Sequence, residues 1–264
     1  MEYLQQEQSI IHILKKSNTV IWKNNIVHIS IAEKPIYSSG EGKTDIYCLL
    51  DTGEEIKISY KMNNADFLEN KISKNRAMII FGESWKEIIT NSIKDIIPLF
   101  NQREVYYPIG KGNIKPGSYT MGWRIDIVDK PGGKQSLTTK ISLTDQQKNE
   151  IFGGQNLSKD KKDAKIIDHI VENSGVANYI LFESNFTEAQ QILDALIPIH
   201  KYSKPLYLTF RAVNYRSLED KIDGNRPLGV YVKWSKTNYS IVFDDPLSFG
   251  AKDILSQFKQ ERMI

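Results

Sequence analysis

Residues 43–62 read KTDIYCLLDTGEEIKISYKM, and this stretch decides the fold. Two alternating runs, TDIYCLL and EEIKISYKM, flank Asp51-Thr52-Gly53, whose residue types tolerate the backbone angles of a tight turn, so residues 44–62 predict a β-hairpin. Period two puts Glu55, Lys57, Ser59 and Lys61 on one face of the second strand and Ile56, Ile58 and Tyr60 on the other. The first face carries chemistry and the second packs. A three-residue loop leaves two registers open. With Asp51-Thr52-Gly53 as the loop, Asp45 faces Ser59; with Thr52-Gly53-Glu54, it faces Lys61. Either brings Asp45 beside the Ser59–Lys61 end and, at roughly 3.4 Å per residue, leaves Glu55 out of its reach.

Upstream, residues 2–16 place Leu4, Ile10, Ile11, Ile13 and Leu14 among Gln, Glu and Lys, a helical pattern, and IVHISIAE (26–33) alternates as a strand does. Downstream, NADFLENKIS (64–73) predicts a short helix capped by Asn63 or Asn64, and AMIIF (77–81) a buried strand. The resulting order is helix, strand, hairpin, helix, strand. Beyond it, residues 85–100 predict an amphipathic helix stopped near Pro98, and residues 106–122 an irregular loop rich in Gly, Pro and Tyr. WRIDIVD and KQSLTTKISL, joined across KPGGK, predict a second hairpin. Polar helical stretches fill residues 144–173, and a helix capped by Thr187 spans 187–197. PLYLTFRAV, PLGVYVKWS and NYSIVFD read as strands and DILSQFKQERMI as a terminal helix. The fold class is therefore α/β with a mixed sheet. A division into residues 1–104 and 105–264 is expected, with one composite domain as the alternative.

The chain has 264 residues, 35 Lys+Arg against 32 Asp+Glu, and a formal net charge of +3. That length buries a proper core. The near-neutral charge carries no whole-molecule footprint of a nucleic-acid binder, so such a role has to come from local residues. No apolar run reaches the ~18 residues of a membrane span, and the polar start MEYLQQEQSIIHILKK lacks a cleavage site, so no membrane partner and a cytoplasmic location are expected. The single Cys48 excludes an internal disulfide, and His12, His28, His169 and His200 have no metal-ligand spacing. Hard-cation chemistry through carboxylates stays open.

Gly42-Lys43-Thr44 reproduces the end of a phosphate-loop pattern, which would make the chain an NTP-binding protein. Tyr37 occupies the position of the first glycine, and a β-favouring run follows where the mechanism needs a helix N-terminus. This reading is the weakest of three.

With GKTDIY followed by IKISYK and NNADF, residues 1–81 resemble the PD-(D/E)XK restriction-endonuclease-like nucleases, whose core has the same αβββαβ order. The resemblance implies a nuclease core with a mixed C-terminal extension. It matches Asp45 to the first metal-binding carboxylate and Lys61 to the catalytic lysine, with Ser59 in place of the second acid. An alternative assignment, Glu55-Ile56-Lys57, restores a literal E-x-K within the hairpin, but the hairpin spacing disfavours it. The implied cofactor is Mg²⁺, with Mn²⁺ able to substitute, held by Asp45 and the Tyr60 backbone carbonyl. Lys61 would orient or deprotonate the attacking water and stabilise developing charge. Serine at position 59 leaves the site one negative charge short. A compensating carboxylate is expected, Glu7 first, then Glu55 and Asp66.

The function implied is a Mg²⁺-dependent DNA endonuclease of restriction type or phage origin; the alternative is a catalytically degenerate nuclease fold that binds DNA or protein. DNA is the expected partner, with a second copy of the chain as another. Basic residues interleaved with aromatics or clustered in SKDKKDAK give the DNA-contact set: Lys43, Arg124, Lys161, Lys162, Arg211, Arg216, Lys233 and Lys236.

Overall fold

The computed structural model describes residues 2–17, 19–62, 68–216 and 224–262. Its architecture is mixed α/β with several sheets, one of them mixed parallel and antiparallel. The chain forms two compact units, Met1–Ala65 with Leu143–Ser203 and Asp66–Ser142 with Lys204–Ile264. Each unit is thus built from two chain segments, and the division does not fall at residues 104 and 105. Among the described residues no helix is long and apolar enough to cross a membrane.

In the first unit, the strands Ile29–Glu33, Ile46–Leu50 and Glu55–Lys61 form an antiparallel meander. Tyr179–Phe182 joins it parallel to Glu55–Lys61, and Ile197–Pro198 closes the edge. The expected strand 26–33 is broken at His28, whose carbonyl accepts from Asp51 N at 2.9 Å; Asn25–Val27 instead pairs with Val20–Trp22. One sheet face carries Ile46, Cys48, Leu50, Ile56, Ile58 and Tyr60. These pack with Ile10, Ile11 and Leu14 of the helix Glu2–Lys16 and with Ile192 and Leu193 of the helix Ala189–Asp194. The latter helix begins after Glu188, whose side chain caps it in place of Thr187. Beyond the parallel strand, Tyr202 contacts both Phe182 and Phe152 of the helix Asp145–Gly153.

The order helix, strand, hairpin, helix, strand expected over residues 1–81 is not formed there, and the strand that joins the hairpin is Tyr179–Phe182. Residues 77–81 are not a strand: they end the helix Lys74–Phe81, started by the Ser73 hydroxyl accepting from Arg76 N at 3.1 Å and stopped at Gly82. Its buried Ala77, Ile80 and Phe81 follow helical spacing, which a short apolar run does not distinguish from a buried strand. Nor are residues 68–73 helical, since Leu68 and Ile72 donate to the Ile127 and Ile125 carbonyls at 2.8 and 3.0 Å. Asn63, Asn64 and Asp66 lie outside the described residues. Ahead of the parallel strand come the helix Asp145–Gly153, entered through a Thr144 capping box, the short helix Lys159–Lys162 and the paired strands Ala164–Ile166 and His169–Val171. An entire segment of the second unit separates the hairpin from the strand that completes its sheet.

The second unit is built on a six-stranded antiparallel sheet whose centre is the long strand Ser118–Val128 paired with Leu206–Tyr215. The strand reaches back into the expected irregular loop 106–122. The expected second hairpin does not form, because Leu206–Tyr215 inserts between Ser118–Val128 and Thr138–Ile141 and pairs with both. Phe100, Trp123 and Phe210 pack edge-to-face in this unit's core.

Candidate active site

The hairpin adopts the first of its two registers. Ile46 pairs with Ile58 and Leu49 with Glu55, around a loop of Asp51, Thr52 and Gly53. Gly53 has φ +83°, the left-handed conformation that closes such a loop and that glycine adopts without a Cβ clash. Asp45 therefore lies opposite Ser59, just ahead of the Ile46–Leu50 strand. Its N–H donates to the Ile58 carbonyl at 2.8 Å, and its Oδ2 accepts from Tyr60 N at 2.7 Å. The carboxylate thus caps the main chain of the Ser59-Tyr60-Lys61 segment.

Burial raises the Asp45 carboxyl above its ordinary value, while Lys61, the Tyr60 amide, Lys34 and Lys43 pull it down. Desolvation penalises the charged form, and the lysines and the amide favour it. The buried hydroxyls of Thr44, which precedes Asp45, and of Ser59, which lies opposite it on the next strand, have no hydrogen-bond partner among the described residues. Buried polar atoms in that condition are rare and point to a polar ligand or water.

A cleft of about 680 Å³ opens at this point, lined among others by Glu7, Lys34, Tyr37, Gly42, Thr44 and Asp45. Glu7 is fully buried and ion-paired to Lys34, whose side chain is 35% exposed. The helix that carries Glu7 is tied to the motif strand through Gln6, which accepts from the Tyr60 hydroxyl at 2.8 Å and donates to Glu183 at 2.7 Å. Glu183 N in turn donates to the Lys61 carbonyl at 2.8 Å. Burial, then Glu183 and Glu7, push the Tyr60 phenol up to about 12, so it remains a hydrogen-bond donor at neutral pH. Asp45 and Glu7, 38 positions apart in sequence, share one cleft.

The alternative pair, Glu55 and Lys57, forms a separate cluster: Tyr47 OH and Lys57 Nζ bond Glu55 at 2.8 and 3.2 Å. Glu55 lies opposite Leu49, four positions along the strand from Asp45, or roughly 14 Å. It does not supply the missing charge. Among the described residues no group of three or more His, Cys, Asp or Glu converges as a metal cage.

Lys43 belongs to the cleft neighbourhood, with its N–H bonded to the Gly175 carbonyl at 2.9 Å. A Cβ on Gly42 would fall 2.5 Å from the Tyr37 ring and 2.6 Å from the Lys161 carbonyl, so close packing accounts for this glycine. The strand Ile46–Leu50 follows Lys43-Thr44 where a phosphate loop needs a helix, and the NTP-binding arrangement is absent here. Lys161 and Lys162 lie on the short helix Lys159–Lys162 against this loop; the Lys161 side chain packs on Gly40, and the Lys162 carbonyl accepts from Gly175 N at 2.7 Å.

The remaining basic residues are in the second unit. Arg124 and Arg211 are paired across two strands, Arg216 lines a small cavity with Asn214, and Lys233 and Lys236 are exposed at the Val230–Trp234 strand and the turn after it. Three residues were not singled out by sequence. Lys34 has no distinguishing spacing, and Glu183 reaches Lys61 only by parallel pairing. Asp126 had a usable signal: in WRIDIVD it stands two residues from Arg124, on the same strand face. No protein-family model, curated protein or solved structure matches this chain.

Proposed function

We propose that this chain is a metal-dependent endodeoxyribonuclease with a divergent restriction-endonuclease-like core, in a restriction-type or phage-encoded role. The observation that carries the reading is the Asp45 carboxylate, bonded to the Tyr60 amide between Ser59 and Lys61, in the cleft that Glu7 enters from the first helix. The mixed sheet, in which Tyr179–Phe182 lies parallel to the hairpin's second strand, adds support.

The donors fit a hard divalent cation in kind. Magnesium is commonly held by one or two carboxylates and keeps several waters, and Asp45, Glu7 and the Tyr60 backbone carbonyl are the oxygens that would hold it. When bound, such an ion supplies a water of lowered pKa and offsets phosphate charge. The chain's own residues do the rest. Lys61, whose charge acts on Asp45, would neutralise charge developing on the scissile phosphate. Thr44 and Ser59, buried with unpartnered hydroxyls, would orient water or a phosphate oxygen beside the carboxylate. Lys43, next to the cleft-lining Gly42 and Thr44, and Lys161 and Lys162 of the short helix packed on this loop suit the DNA backbone.

A second reading has its own support. Ser59 contributes no charge and Lys34 already occupies Glu7, which favours a degenerate nuclease fold that binds DNA or protein without cutting. Incubation with supercoiled, linear and single-stranded DNA, in Mg²⁺ or EDTA, separates the two. Mg²⁺-dependent cleavage lost in Asp45→Ala and Lys61→Ala supports the nuclease. Tight binding without cleavage supports the degenerate fold, and cleavage indifferent to both substitutions refutes the site.

A further inference from the structure

In the second unit, four aromatic rings form a continuous row. Tyr106 stacks on Tyr119 with ring centres 4.5 Å apart and planes 20° apart, Tyr119 meets Trp234 edge-on at 5.4 Å, and Trp234 meets Tyr239 at 5.3 Å. Strand pairing builds the row. Tyr106 lies opposite Tyr119 of Ser118–Val128, and Trp234 lies opposite Tyr239 of the strand Tyr239–Val242. Phe258 of the terminal helix Ala251–Arg262 contacts both Tyr119 and Trp234, and Trp234 Nε1 donates to the Thr120 carbonyl at 3.3 Å. Packing therefore holds the middle of the row in place.

The ends of the row are open. Among the described side chains only two aromatics are exposed, Tyr106 at 42% and Tyr239 at 44%, and they are these two ends. Single exposed rings need no explanation, but two on one packed row make a surface that a partner can bury. A cation is built into the same surface. The guanidinium of Arg262, at the end of the terminal helix, lies 5.1 Å from the Trp234 ring centre and 5.9 Å from that of Phe258. Its Nε is buried and has no hydrogen-bond partner among the described residues. Burial and then Tyr106 raise the Tyr119 phenol above its ordinary value, while Arg262 pulls it down, so the same charge reaches the stacked pair. Lys236 adds an exposed charge in the turn that joins Trp234 to Tyr239.

This composition selects a class of ligand. A guanidinium already over the indole repels a second cation, the usual ligand of an aromatic surface. A flat ring with an anion attached suits both the tyrosine faces and the cations, and an unpaired nucleotide has that form. In a duplex the base faces are stacked on one another, so a paired strand offers this row only its phosphates. We propose that the row binds single-stranded DNA, with Tyr106 and Tyr239 stacking on unpaired bases and Arg262 contacting a backbone phosphate. The inference rests on the DNA reading proposed above for its ligand, but it uses no residue of the Asp45 cleft.

The test uses full-length protein carrying Asp45→Ala, so that binding is read without cutting, and fluorescein-labelled oligodeoxythymidine, which forms no duplex with itself. Adding Tyr106→Leu and Tyr239→Leu together, which keeps apolar bulk but removes the π faces, should weaken binding by about tenfold or more. Tyr106→Phe with Tyr239→Phe should retain it. Arg262→Gln should lower the slope of log affinity against log salt by about 0.7, the loss of one phosphate contact on a single strand. Thermal melting of each variant establishes folding. Undiminished binding by the leucine pair, or an equal loss in the phenylalanine pair, overturns the inference. So does a parent dimer that the leucine pair breaks, which would give the row to a second copy of the chain. A parent that binds duplex DNA but not oligodeoxythymidine overturns the inference and leaves the DNA reading standing, whereas binding to neither overturns both. Absence of cleavage by the wild-type chain, with tyrosine-dependent binding intact, overturns the nuclease reading alone.

Discussion

The carboxylate of Asp45 accepts a hydrogen bond from the main-chain N–H of Tyr60 at 2.7 Å. This bond makes the acid part of the hairpin's geometry and not only of its chemistry, because it satisfies an amide at the point where the Ile46–Leu50 strand has ended as a partner. The two contributions can be separated by substitution. Asp45→Asn keeps an acceptor for the amide and removes the charge, so the fold should persist while cleavage falls by about 100-fold or more. Matched activity and circular dichroism measurements check this; full activity in Asp45→Asn refutes it.

Stability should respond to the same substitution with a definite sign. The folded state holds the Asp45 proton more tightly than the unfolded chain, because burial outweighs Lys61, the Tyr60 amide, Lys34 and Lys43. Stability from this group therefore falls as pH rises from the ordinary carboxylate value of 3.8 through the raised folded one. Asp45→Asn escapes that loss. Its melting temperature should exceed that of the wild type at neutral pH, and the gap should close on acidification to about pH 3.5. A gap that widens on acidification would mean that the carboxylate is held below its ordinary value.

Glu7 is buried and ion-paired to Lys34, and removing the lysine takes that opposite charge from a poorly solvated carboxylate. Lys34→Ala should destabilise the chain by about 2 kcal/mol, below the full value for a buried pair because the lysine reaches solvent. If Glu7 helps to hold a cation, Mg²⁺ or Mn²⁺ should raise the melting temperature of Lys34→Ala more than that of the wild type. Equal shifts in both proteins, or none, would detach Glu7 from cation binding.

A strained residue offers a control outside the cleft. Ile167 begins the two-residue turn between Ala164–Ile166 and His169–Val171 with φ +56°, an unfavourable angle for a β-branched side chain, and it is 54% exposed. Ile167→Gly should raise stability by about 1 kcal/mol, seen as a higher denaturant midpoint at unchanged slope. A lower midpoint would show that the isoleucine makes contacts worth more than the strain.

Cys48 reports on the core of the first unit. It is fully buried, and burial pushes its thiol up to about 12 from 9.0. The native chain should take up no thiol reagent at pH 8 and one equivalent when unfolded. Between pH 9 and 12 only the unfolded chain gains by ionising this thiol, so Cys48→Ala should lose less stability than the wild type as pH rises through that window. Rapid labelling of the native chain at pH 8 would contradict the packing of that strand.

Local chemistry was legible where short-range geometry governs it. The hairpin, its three-residue loop, the apolar face of Ile56, Ile58 and Tyr60, and the placement of Asp45 beside Ser59 follow from alternation and turn chemistry, both of which act over a few residues. The first helix was equally readable, and Glu7 does enter the cleft of Asp45. The strand 77–81 was misread because five apolar residues fit a buried strand and a helix alike, and the capping hydroxyl of Ser73 decides between them. Likewise WRIDIVD and KQSLTTKISL are strands with a turn between them, yet they do not pair.

The amino-acid sequence by itself therefore determined a hairpin that carries an acid and a lysine, a helix ahead of it, and a mixed α/β class. Only the tertiary structure decided which distant strand completes the sheet, since the parallel pairing of Tyr179–Phe182 with Glu55–Lys61 spans about 120 residues and leaves no local trace. It also set Lys34 on Glu7, Glu183 beside Lys61, and Arg211 on Asp126. Each of these is a contact between charges or backbones that meet only after the chain has folded, and no spacing along the sequence encodes their distance.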